Sequence, residues 1–492
     1  MTEPNPNIEP QEAAPRASET AASAGAMEHQ IEHQPEPSAS KEPLPEDAPL
    51  QIEFPPKESA IAPRRAARPG RGRVLIVSYY FPPIGLGHVL RIARLAKHLT
   101  EFGWEPTVLT VNDVGYFVQD FSLLEEVLES GVQVERTKTM DPVRLLGNKR
   151  MKKVPVERYR GFLRGVSHTF LQPDNKIGWK RYALQRAIEL MEERPFDLVL
   201  ATAPPFTDFM IGRELQKRYG LPLVVDYQET WLDNPQQFYA TPIHRSYAAG
   251  LEEEILKNAD ACVVVTRRIK ERLIARYPFL THDSVHIIPG GYDIKEFQNA
   301  RRHTVRPQEK MRITYCGAFD ARHTPKYFFQ ALAKIFAQHP QTRGEIEAVF
   351  VGVLPEVFRK MATNIGVASA LVSTGYVEHQ NVPGLLLSSH LLWLANYHTA
   401  SVPGKVYEYM GSGRPILALT EKGALTQTLA VYGAATVVPP TDPQAIAEAL
   451  LDSYHQWKSG TLPEGRREAA EEYDQRKLAE RLARVLAYSV RI

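Results

Sequence analysis

A chain of 492 residues is too long for one ordinary hydrophobic core and indicates two domains. Its 59 basic and 57 acidic residues leave a net charge of +2, which argues against a global attraction to nucleic acid. The two cysteines, Cys262 and Cys316, lie in apolar strand-like contexts, so we expect buried thiols rather than a disulfide framework or a cysteine-based zinc site.

Residues 1–71 are predicted to be a disordered tail. They are dense in Pro, Glu, Ala and Ser and poor in the aromatic and β-branched residues that could offset the entropy of ordering. The acidic, Pro-rich start lacks the basic and apolar regions of a signal peptide. No apolar run reaches the roughly 18 residues needed to cross a bilayer, so a cytoplasmic location is expected.

An alternation of strands and helices begins at Val74. Residues 74–78 are an apolar, β-branched run of buried-strand length, and periodic apolar positions from Val89 to Leu99 predict a helix. A strand, a helix and a second strand at this spacing form a βαβ unit, which implies a parallel sheet covered by helices on both faces. The first lobe is therefore predicted over residues 72–270, with further strands at 106–110, 196–202, 221–226 and 259–266.

A second set of strands follows Pro289, and it predicts a second lobe over residues 271–460. Two doubly wound lobes in one chain place a cleft between the carboxyl ends of their strands, where such folds bind ligands. Residues 461–492 are predicted to form a helix that packs back across the lobes. The expected strands of the second lobe are 311–317, 346–352, 371–375, 391–395 and 415–419.

Residues 136–170 interrupt this alternation as a basic insertion of the first lobe. Lysines and arginines are concentrated between Arg136 and Arg164, with aromatic and aliphatic side chains among them. One interpretation is a solvated helical insertion. The other is that residues 136–164 dock on the anionic head groups of a membrane.

Residues 403–415 carry the strongest candidate for chemistry. A short helix beginning near Gly404 would place Lys405 in its first turn and Glu408 on the same face. Helix N-termini favour phosphate groups through free N–H groups and the dipole, and Lys405 adds a full charge. A carboxylate one turn deeper can accept two hydrogen bonds from vicinal ribose hydroxyls. Without its flanking residues, a Lys-x-x-Glu pair would indicate only a surface ion pair.

The flanking residues resemble the donor-binding helix of glycosyltransferase family 4, where a Lys-apolar-aromatic-Glu-Tyr segment precedes a small-Gly-basic-Pro turn. Further segments are similar to that family, in order, over about residues 73–455. They are Tyr80-Phe-Pro-Pro-Ile-Gly-Leu-Gly, Pro173-Asp-Asn-Lys-Ile-Gly-Trp, Thr202-Ala-Pro-Pro-Phe-Thr, Pro289-Gly-Gly-Tyr-Asp, Gly317 through Pro325, and Gly375-Tyr-Val-Glu-His. The resemblance implies an α/β fold of GT-B type, with two Rossmann-like doubly wound lobes, an interlobe cleft and a disordered N-terminal tail.

The resemblance also implies roles for individual residues. Arg322 and Lys405 would neutralise the leaving diphosphate, and Glu408 would hold the ribose. Gly85 and Gly87 would let the backbone approach the donor, although a tight turn explains such glycines equally well. The other donor-binding candidates are Gly317, Lys326 as either a second cation or a solvated residue at the start of a helix, and the backbone groups of Tyr376 and Val377 facing the base.

Two further residues are catalytic candidates. His88 directly follows the glycine loop and is either a near-neutral base or a helix-start residue facing solvent. Asp226 either orients an acceptor hydroxyl or caps the end of a strand. No His, Asp or Glu spacing suggests zinc and no Asp-x-Asp triplet suggests a metal-assisted diphosphate site, so no metal and no cofactor are expected.

The sequence departs from the family pattern at a few positions. Gln228 and Glu229 stand where the subfamily usually has Arg and Asp, and Gly290 stands where Asn is usual. Ala400 replaces the first of two glutamates spaced eight residues apart, a form found in one branch of the family. The departures at 228 and 229 lie where acceptor choice and catalysis would be decided.

The leading functional hypothesis is a retaining, metal-independent glycosyltransferase. It would move a sugar from a nucleotide-diphosphate sugar to a polysaccharide or polyprenyl-linked acceptor, at the inner face of a membrane and with no nucleic acid partner. The first alternative is a catalytically weakened relative that acts as a nucleotide-sugar-binding or assembly module. The second is a nucleotide-sugar epimerase, which would need carboxylate and histidine groups that the sequence does not place on the sugar.

Overall fold

The computed structural model describes residues 71–85, 87–112, 119–140, 172–234, 237, 239–302, 309–319 and 324–491. Apart from Arg71, the predicted tail lies outside the described residues, as do 141–170 of the basic insertion. Arg322 also lies outside them.

The first sheet has seven parallel strands in the order β3-β2-β1-β4-β5-β6-β7. Its central strands are buried on both faces, as in β4, where every residue is buried. This double burial explains why they appear in the sequence as continuous apolar runs rather than alternating ones. The strands are β1 (Gly72–Val77), β2 (Trp104–Val111), β3 (Gln133–Thr137), β4 (Leu198–Ala203), β5 (Leu223–Tyr227), β6 (Ala261–Val264) and β7 (Val285–Ile287).

Helices connect these strands in the predicted βαβ manner. Helix α1 begins at Gly87, the last residue of the glycine loop, and buries Val89, Ile92 and Leu95. The helices of this half are α1 (Gly87–Leu99), α2 (Phe121–Glu129), α3 (Lys180–Glu193), α4 (Thr207–Tyr219), α5 (Pro242–Asn258) and α6 (Arg267–Arg276).

The second sheet has six parallel strands in the order β10-β9-β8-β11-β12-β13. Its core is aromatic: the rings of Phe328 and Trp393 stack with centroids 4.1 Å apart, and those of Tyr315 and Phe319 do the same. The strands are β8 (Met311–Cys316), β9 (Ile346–Val351), β10 (Leu371–Gly375), β11 (Leu391–Asn396), β12 (Ile416–Thr420) and β13 (Ala435–Val438).

Ten helices of the described chain follow β7. They are α7 (Ile294–Arg302), α8 (Lys326–Gln338), α9 (Thr342–Glu345), α10 (Glu356–Ile365), α11 (Val382–Leu387), α12 (Lys405–Ser412), α13 (Ala424–Tyr432), α14 (Pro443–Ser459), α15 (Arg467–Glu471) and α16 (Gln475–Arg491). None of the helices in the described ranges has the length and apolar character that crossing a bilayer requires.

The last helix, α16, returns to the first sheet. Its apolar face, which includes Leu478, Leu482 and Leu486, is part of the core formed by the first sheet and its helices. Gln475 at its start donates a hydrogen bond to the carbonyl oxygen of Arg91 in α1, with a distance of 3.2 Å. The predicted α/β fold with two doubly wound lobes is thereby confirmed, whereas the exact domain limits stay a prediction.

Both cysteines are free thiols. Cys262 is buried in β6, and Cys316 is partly buried at the end of β8. Burial raises the pKa of the Cys316 thiol to about 12, so it is uncharged at neutral pH.

Candidate active site

Helix α12 places Lys405 at the carboxyl end of the second sheet. It follows β11, starts at Lys405 and ends at Ser412, where Gly413 closes it with a left-handed φ of 78°. The N-terminal end of a helix carries the positive end of the dipole, so Lys405 adds its charge to an already electropositive position. This is the helix that the sequence predicted around Lys405 and Glu408.

Two neighbours fix the position of the Lys405 ammonium. Its Nζ atom lies over the ring of Tyr315, 3.9 Å from the centroid. A Cβ atom at Gly317 would come within 2.6 Å of the same Nζ, and Gly317 has a φ of +128°. Glycine at 317 therefore leaves the space that the ammonium occupies, and any side chain there would displace it.

Glu408 faces a cation from the other lobe. Its Oε1 atom is 3.3 Å from Nη2 of Arg94, which belongs to α1, and the same Nη2 lies 2.8 Å from Oε2 of Glu296. The Arg94 side chain is only 2% exposed. Burial alone would lower the pKa of Arg94, but Glu296 and Glu408 raise it above the ordinary value, so Arg94 is a permanent cation.

The glycine loop of the first lobe approaches α12 across the cleft. A Cβ atom at Gly404 would lie 4.0 Å from the carbonyl oxygen of Gly87. Gly85 precedes this point in the same loop and is partly buried. The loop that was predicted to approach the donor thus lies beside the N-terminal end of the predicted donor-binding helix.

His88 comes next in the chain and packs edge-on against the ring of Tyr80, with centroids 5.0 Å apart. Burial lowers the pKa of His88 to about 4, so the imidazole is neutral at pH 7. Its Nε2 atom is buried and has no hydrogen-bond partner among the residues that the structure describes. A neutral imidazole can accept a hydrogen bond from a hydroxyl group, which keeps His88 a candidate for binding one, whereas its lowered pKa does not favour the predicted role of a near-neutral base.

The remaining residues that were predicted to contact the nucleotide-sugar donor have other local contacts. Lys326 starts α8, with its ammonium 5.4 Å from the ring centroid of Tyr327. Tyr376 and Val377 follow β10, and the Tyr376 hydroxyl donates to Oδ2 of Asp120 at 2.8 Å. Arg322 lies outside the described residues, so its predicted role with the diphosphate stays a prediction.

Asp226 lies at the end of β5 in a buried network. Its Oδ2 atom accepts hydrogen bonds from Nη1 of Arg91 at 2.6 Å and from the hydroxyl of Thr202 at 2.9 Å. The same guanidinium donates to the carbonyl oxygens of Ile288 and Pro289, at 2.8 and 3.4 Å. Asp226 therefore supports the arginine that holds the segment leading from the first lobe to the second.

The family departures each have a local contact. Gln228 donates to the Thr202 hydroxyl at 3.1 Å, and Glu229 accepts from the side chain of Asn234 at 2.8 Å. A Cβ atom at Gly290 would lie 2.7 Å from the ring of Tyr407 in α12. The Tyr407 ring thus fills the space that the usual asparagine side chain would need.

We expect Gly290→Asn to lower the free energy of unfolding by about 1–3 kcal/mol, because the new side chain must displace the buried Tyr407 ring. Denaturant unfolding of Gly290→Asn, Tyr407→Ala and the double variant checks this. The double variant should lose less stability than the sum of the single losses. Gly250→Asn is the control, since a Cβ at Gly250 meets nothing within 4 Å. Strictly additive losses would contradict the steric explanation.

Sequence reasoning did not identify a second set of contacts between the lobes. Asp120 caps the start of α2 and accepts a hydrogen bond from the backbone N–H of His379 at 3.0 Å. The His379 ring lies between two carboxylates, with Nδ1 at 3.3 Å from Asp120 and Nε2 at 3.0 Å from Glu126. Lys97 of α1 pairs with Glu126 and, at 3.1 Å, with Asp293.

Part of this network has the composition of a metal site. Possible ligand atoms of Glu126, Glu296 and His379 lie within 4.8 Å of one another. Both ring nitrogens of His379 face carboxylates, however, and a protonated imidazole has no lone pair to offer a metal. In its present arrangement the cluster is a network of ion pairs between the lobes.

Stability should fall between pH 6.5 and pH 9 because of His379. Burial alone would lower its pKa and Arg94 opposes its charge, but Asp120, Glu126 and Glu296 outweigh these effects and raise the pKa to about 9. A group with a raised pKa stabilises the folded state fully below its unfolded pKa and loses that contribution as the pH rises through the folded value. The loss amounts to at most about 3 kcal/mol.

Unfolding free energies at pH 6.5 and pH 9 measure this effect. His379→Gln should show a smaller decrease than the wild type, whereas replacement of the exposed His455 by Gln should leave the decrease unchanged. An equal decrease in wild type and His379→Gln would show that other groups cause it.

Two parallel α/β lobes, with sheets of seven and six strands, are the architecture of the GT-B fold. Residues 87–291 match the family described as glycosyl transferase 4-like domain, and residues 310–456 match the family described as glycosyl transferases group 1. The chain belongs to these family 4-like glycosyltransferases, as the sequence motifs predicted.

Known proteins similar to the chain include a D-inositol 3-phosphate glycosyltransferase from Nocardioides sp. It is 24% identical over 262 residues, which are 49% of this chain and 56% of that protein. The chain therefore matches little more than half the length of this relative.

Among solved structures, sucrose-phosphate synthase from Thermosynechococcus elongatus has a TM-score of 0.60 at 15% identity, over 85% of this chain and 99% of that one. Anabaena HepE in complex with UDP and glucose has a TM-score of 0.60 at 14% identity, over 85% and 100% of the two chains. At these identities the likeness concerns the fold alone.

Proposed function

We propose that the protein transfers a sugar from a nucleotide-diphosphate sugar to a glycan or polyprenyl-linked acceptor. The observation that carries this proposal is the geometry of α12, with Lys405 at its N-terminal end and Glu408 on the next turn. In this arrangement the ammonium would bind a diphosphate and the carboxylate would accept hydrogen bonds from a ribose diol. The HepE structure contains UDP and glucose, which supports a donor of this type.

The proposed mechanism needs electrostatic stabilisation of the leaving group and no metal. The bond between the sugar C1 and the diphosphate oxygen breaks while the acceptor oxygen bonds to C1 on the same face, so the configuration is retained. The acceptor proton passes to an oxygen of the departing diphosphate. Lys405, Arg322 and the dipole of α12 would stabilise the charge that develops there. His88 would accept a hydrogen bond from a sugar or acceptor hydroxyl.

The acceptor side of the proposal concerns the basic residues 136–164. Residues 136–164 would bring the enzyme to an anionic membrane surface, as suits a lipid-linked acceptor at the cytoplasmic face. Most of this stretch lies outside the described residues, so the proposal depends on its sequence.

A screen of nucleotide sugars by thermal shift tests the donor assignment, because a ligand that binds only the folded state raises its melting temperature. We expect at least one uridine, guanosine or adenosine diphosphate sugar to stabilise the protein. In Glu408→Ala this stabilisation should be strongly reduced. Stabilisation that is equal in Glu408→Ala and wild type would overturn the ribose assignment, and stabilisation by no nucleotide sugar would overturn the proposed donor class.

One observation favours the alternative of a weakened relative. Gln228 replaces the cation usual at its position and uses its side chain to bind Thr202. A weakened relative would bind a nucleotide sugar in the thermal-shift screen but release no nucleotide diphosphate with any acceptor extract.

A further inference from the structure

Arg94 is a buried cation that the first lobe presents to the second. Its side chain is 2% exposed, and it lies three residues after Arg91 and four before His98, which are also buried. This spacing places the three basic side chains on one face of α1. Through Nη2, Arg94 meets two carboxylates of the second lobe, Glu296 and Glu408.

We propose that Arg94 is a positioning residue for the donor nucleotide, and this inference rests on the proposed function. By holding Oε1 of Glu408, it leaves Oε2 to accept hydrogen bonds from the ribose hydroxyls. Helix α1 of the first lobe then sets how well the second lobe discriminates a ribonucleotide from its 2′-deoxy form.

The two contacts of Arg94 differ in a way that supports this division of roles. The distance to Glu296 is 2.8 Å and the distance to Glu408 is 3.3 Å, so Glu296 is the closer partner and anchors the guanidinium. Glu408 then meets the guanidinium of Arg94, and Glu296 rather than Glu408 fixes the position of that guanidinium. A glutamate held at one oxygen loses less conformational freedom when the other oxygen binds a ligand.

Stability alone explains the arrangement poorly. The Nε atom of Arg94 and the Oε1 atom of Glu296 are buried and have no hydrogen-bond partner among the described residues. Buried ion pairs with unsatisfied polar atoms often contribute no more stability than apolar side chains of similar size. An incompletely satisfied network at a ligand site fits a role in positioning.

The positioning also couples the lobes to the donor. Arg94 can hold Glu408 only while α1 lies against α12, so this arrangement of the lobes binds the ribose best. By thermodynamic reciprocity, a bound ribonucleotide stabilises the same arrangement.

The experiment compares UDP, GDP and ADP with their 2′-deoxy forms by calorimetric titration, using wild type, Arg94→Gln and Arg94→Lys. Wild type should bind one ribonucleotide about 10-fold or more tightly than its deoxy form, since a paired hydroxyl is lost. Arg94→Gln should weaken ribonucleotide binding about 10-fold and change deoxynucleotide binding less than about twofold. Arg94→Lys keeps the charge but lacks the forked N–H groups of a guanidinium, so its affinity for the ribonucleotide should lie between those of wild type and Arg94→Gln. It takes the place of Arg94→Gln in the comparison if the glutamine variant does not fold.

Lys97→Gln is the matched control. It removes another cation of α1 that pairs across the lobes, with Asp293, but does not touch Glu408. It should retain the full preference for ribose. If it loses that preference as Arg94→Gln does, the effect comes from loosened lobes and the inference fails.

The other outcomes separate this inference from the proposed function. Wild type that binds none of the six nucleotides would overturn the proposed donor site and the inference with it. Wild type that binds both forms equally would overturn the ribose contact of Glu408. A preference for ribose that persists in Arg94→Gln and Arg94→Lys would overturn the role of Arg94 alone.

Discussion

Replacing Lys405 by Met should lower kcat/KM for sugar transfer about 100-fold or more, because a preorganised charge at the leaving group is lost. The ammonium lies at the N-terminal end of α12, over the ring of Tyr315, where glycine at 317 leaves room for it. Methionine keeps the length and apolar character of the side chain, so the fold should persist. Steady-state release of nucleotide diphosphate measures the effect.

Two variants control this result. Lys334→Met removes an exposed lysine from α8 that contacts Gln444, and it should leave kcat/KM unchanged. Lys405→Arg keeps the charge but not the compact ammonium beside Gly317, so we expect partial activity. A Lys405→Met variant with wild-type kcat/KM would remove Lys405 from the mechanism.

Asp226→Ala should lower the free energy of unfolding by about 3–5 kcal/mol, because it leaves the charge of Arg91 buried without its carboxylate. The distance between Nη1 of Arg91 and Oδ2 of Asp226 is 2.6 Å, and their side chains are 7% and 3% exposed. Arg91 also holds the carbonyl oxygens of Ile288 and Pro289. Denaturant unfolding, followed in parallel with activity, measures the loss.

The matched control is Asp452→Ala, which removes an exposed aspartate from α14 and should change stability by less than about 0.5 kcal/mol. The predicted catalytic role of Asp226 would instead lower activity and leave stability unchanged. If Asp226→Ala unfolds like the wild type but has lost activity, Asp226 acts on the acceptor and its contact with Arg91 is secondary.

Most of the fold could be predicted because a buried parallel strand can be recognised from a short stretch of sequence. Central strands such as β4 and β11 are buried along their whole length and are apolar except for Thr202 and Asn396, and the helices between them have a regular period. The strands β3 (Gln133–Thr137), β7 (Val285–Ile287) and β13 (Ala435–Val438) were missed. All three lie at the edge of a sheet: β3 and β13 have partly exposed residues, and β7 has only three residues.

The candidate site could be predicted only in part. Lys405 and Glu408 lie on one short helix with glycines at its ends, so the local sequence pattern was enough to predict their positions on that helix. Their partners come from distant parts of the chain: Arg94 precedes Glu408 by 314 residues, and no local period links the two. One signal was present, since Arg91, Arg94 and His98 recur at the spacing of one helix face, and all three prove to be buried.

The steric reason for glycine at position 290 also could not be predicted from the sequence. The family pattern indicated only that an asparagine was missing there. In the structure, the glycine lies against the ring of Tyr407, which belongs to α12. Glycine at position 290, where the family usually has asparagine, therefore belongs to the packing between the interlobe segment and α12.

The most direct test of the central claim is turnover by the full chain. Purified protein is incubated with uridine, guanosine and adenosine diphosphate sugars and with glycan and polyprenyl-linked acceptors, and the released nucleotide diphosphate is measured against Lys405→Met. We predict acceptor-dependent release from one donor, which Lys405→Met reduces about 100-fold or more. Equal release by the two proteins, or no release from any donor by wild type, would contradict sugar transfer at α12.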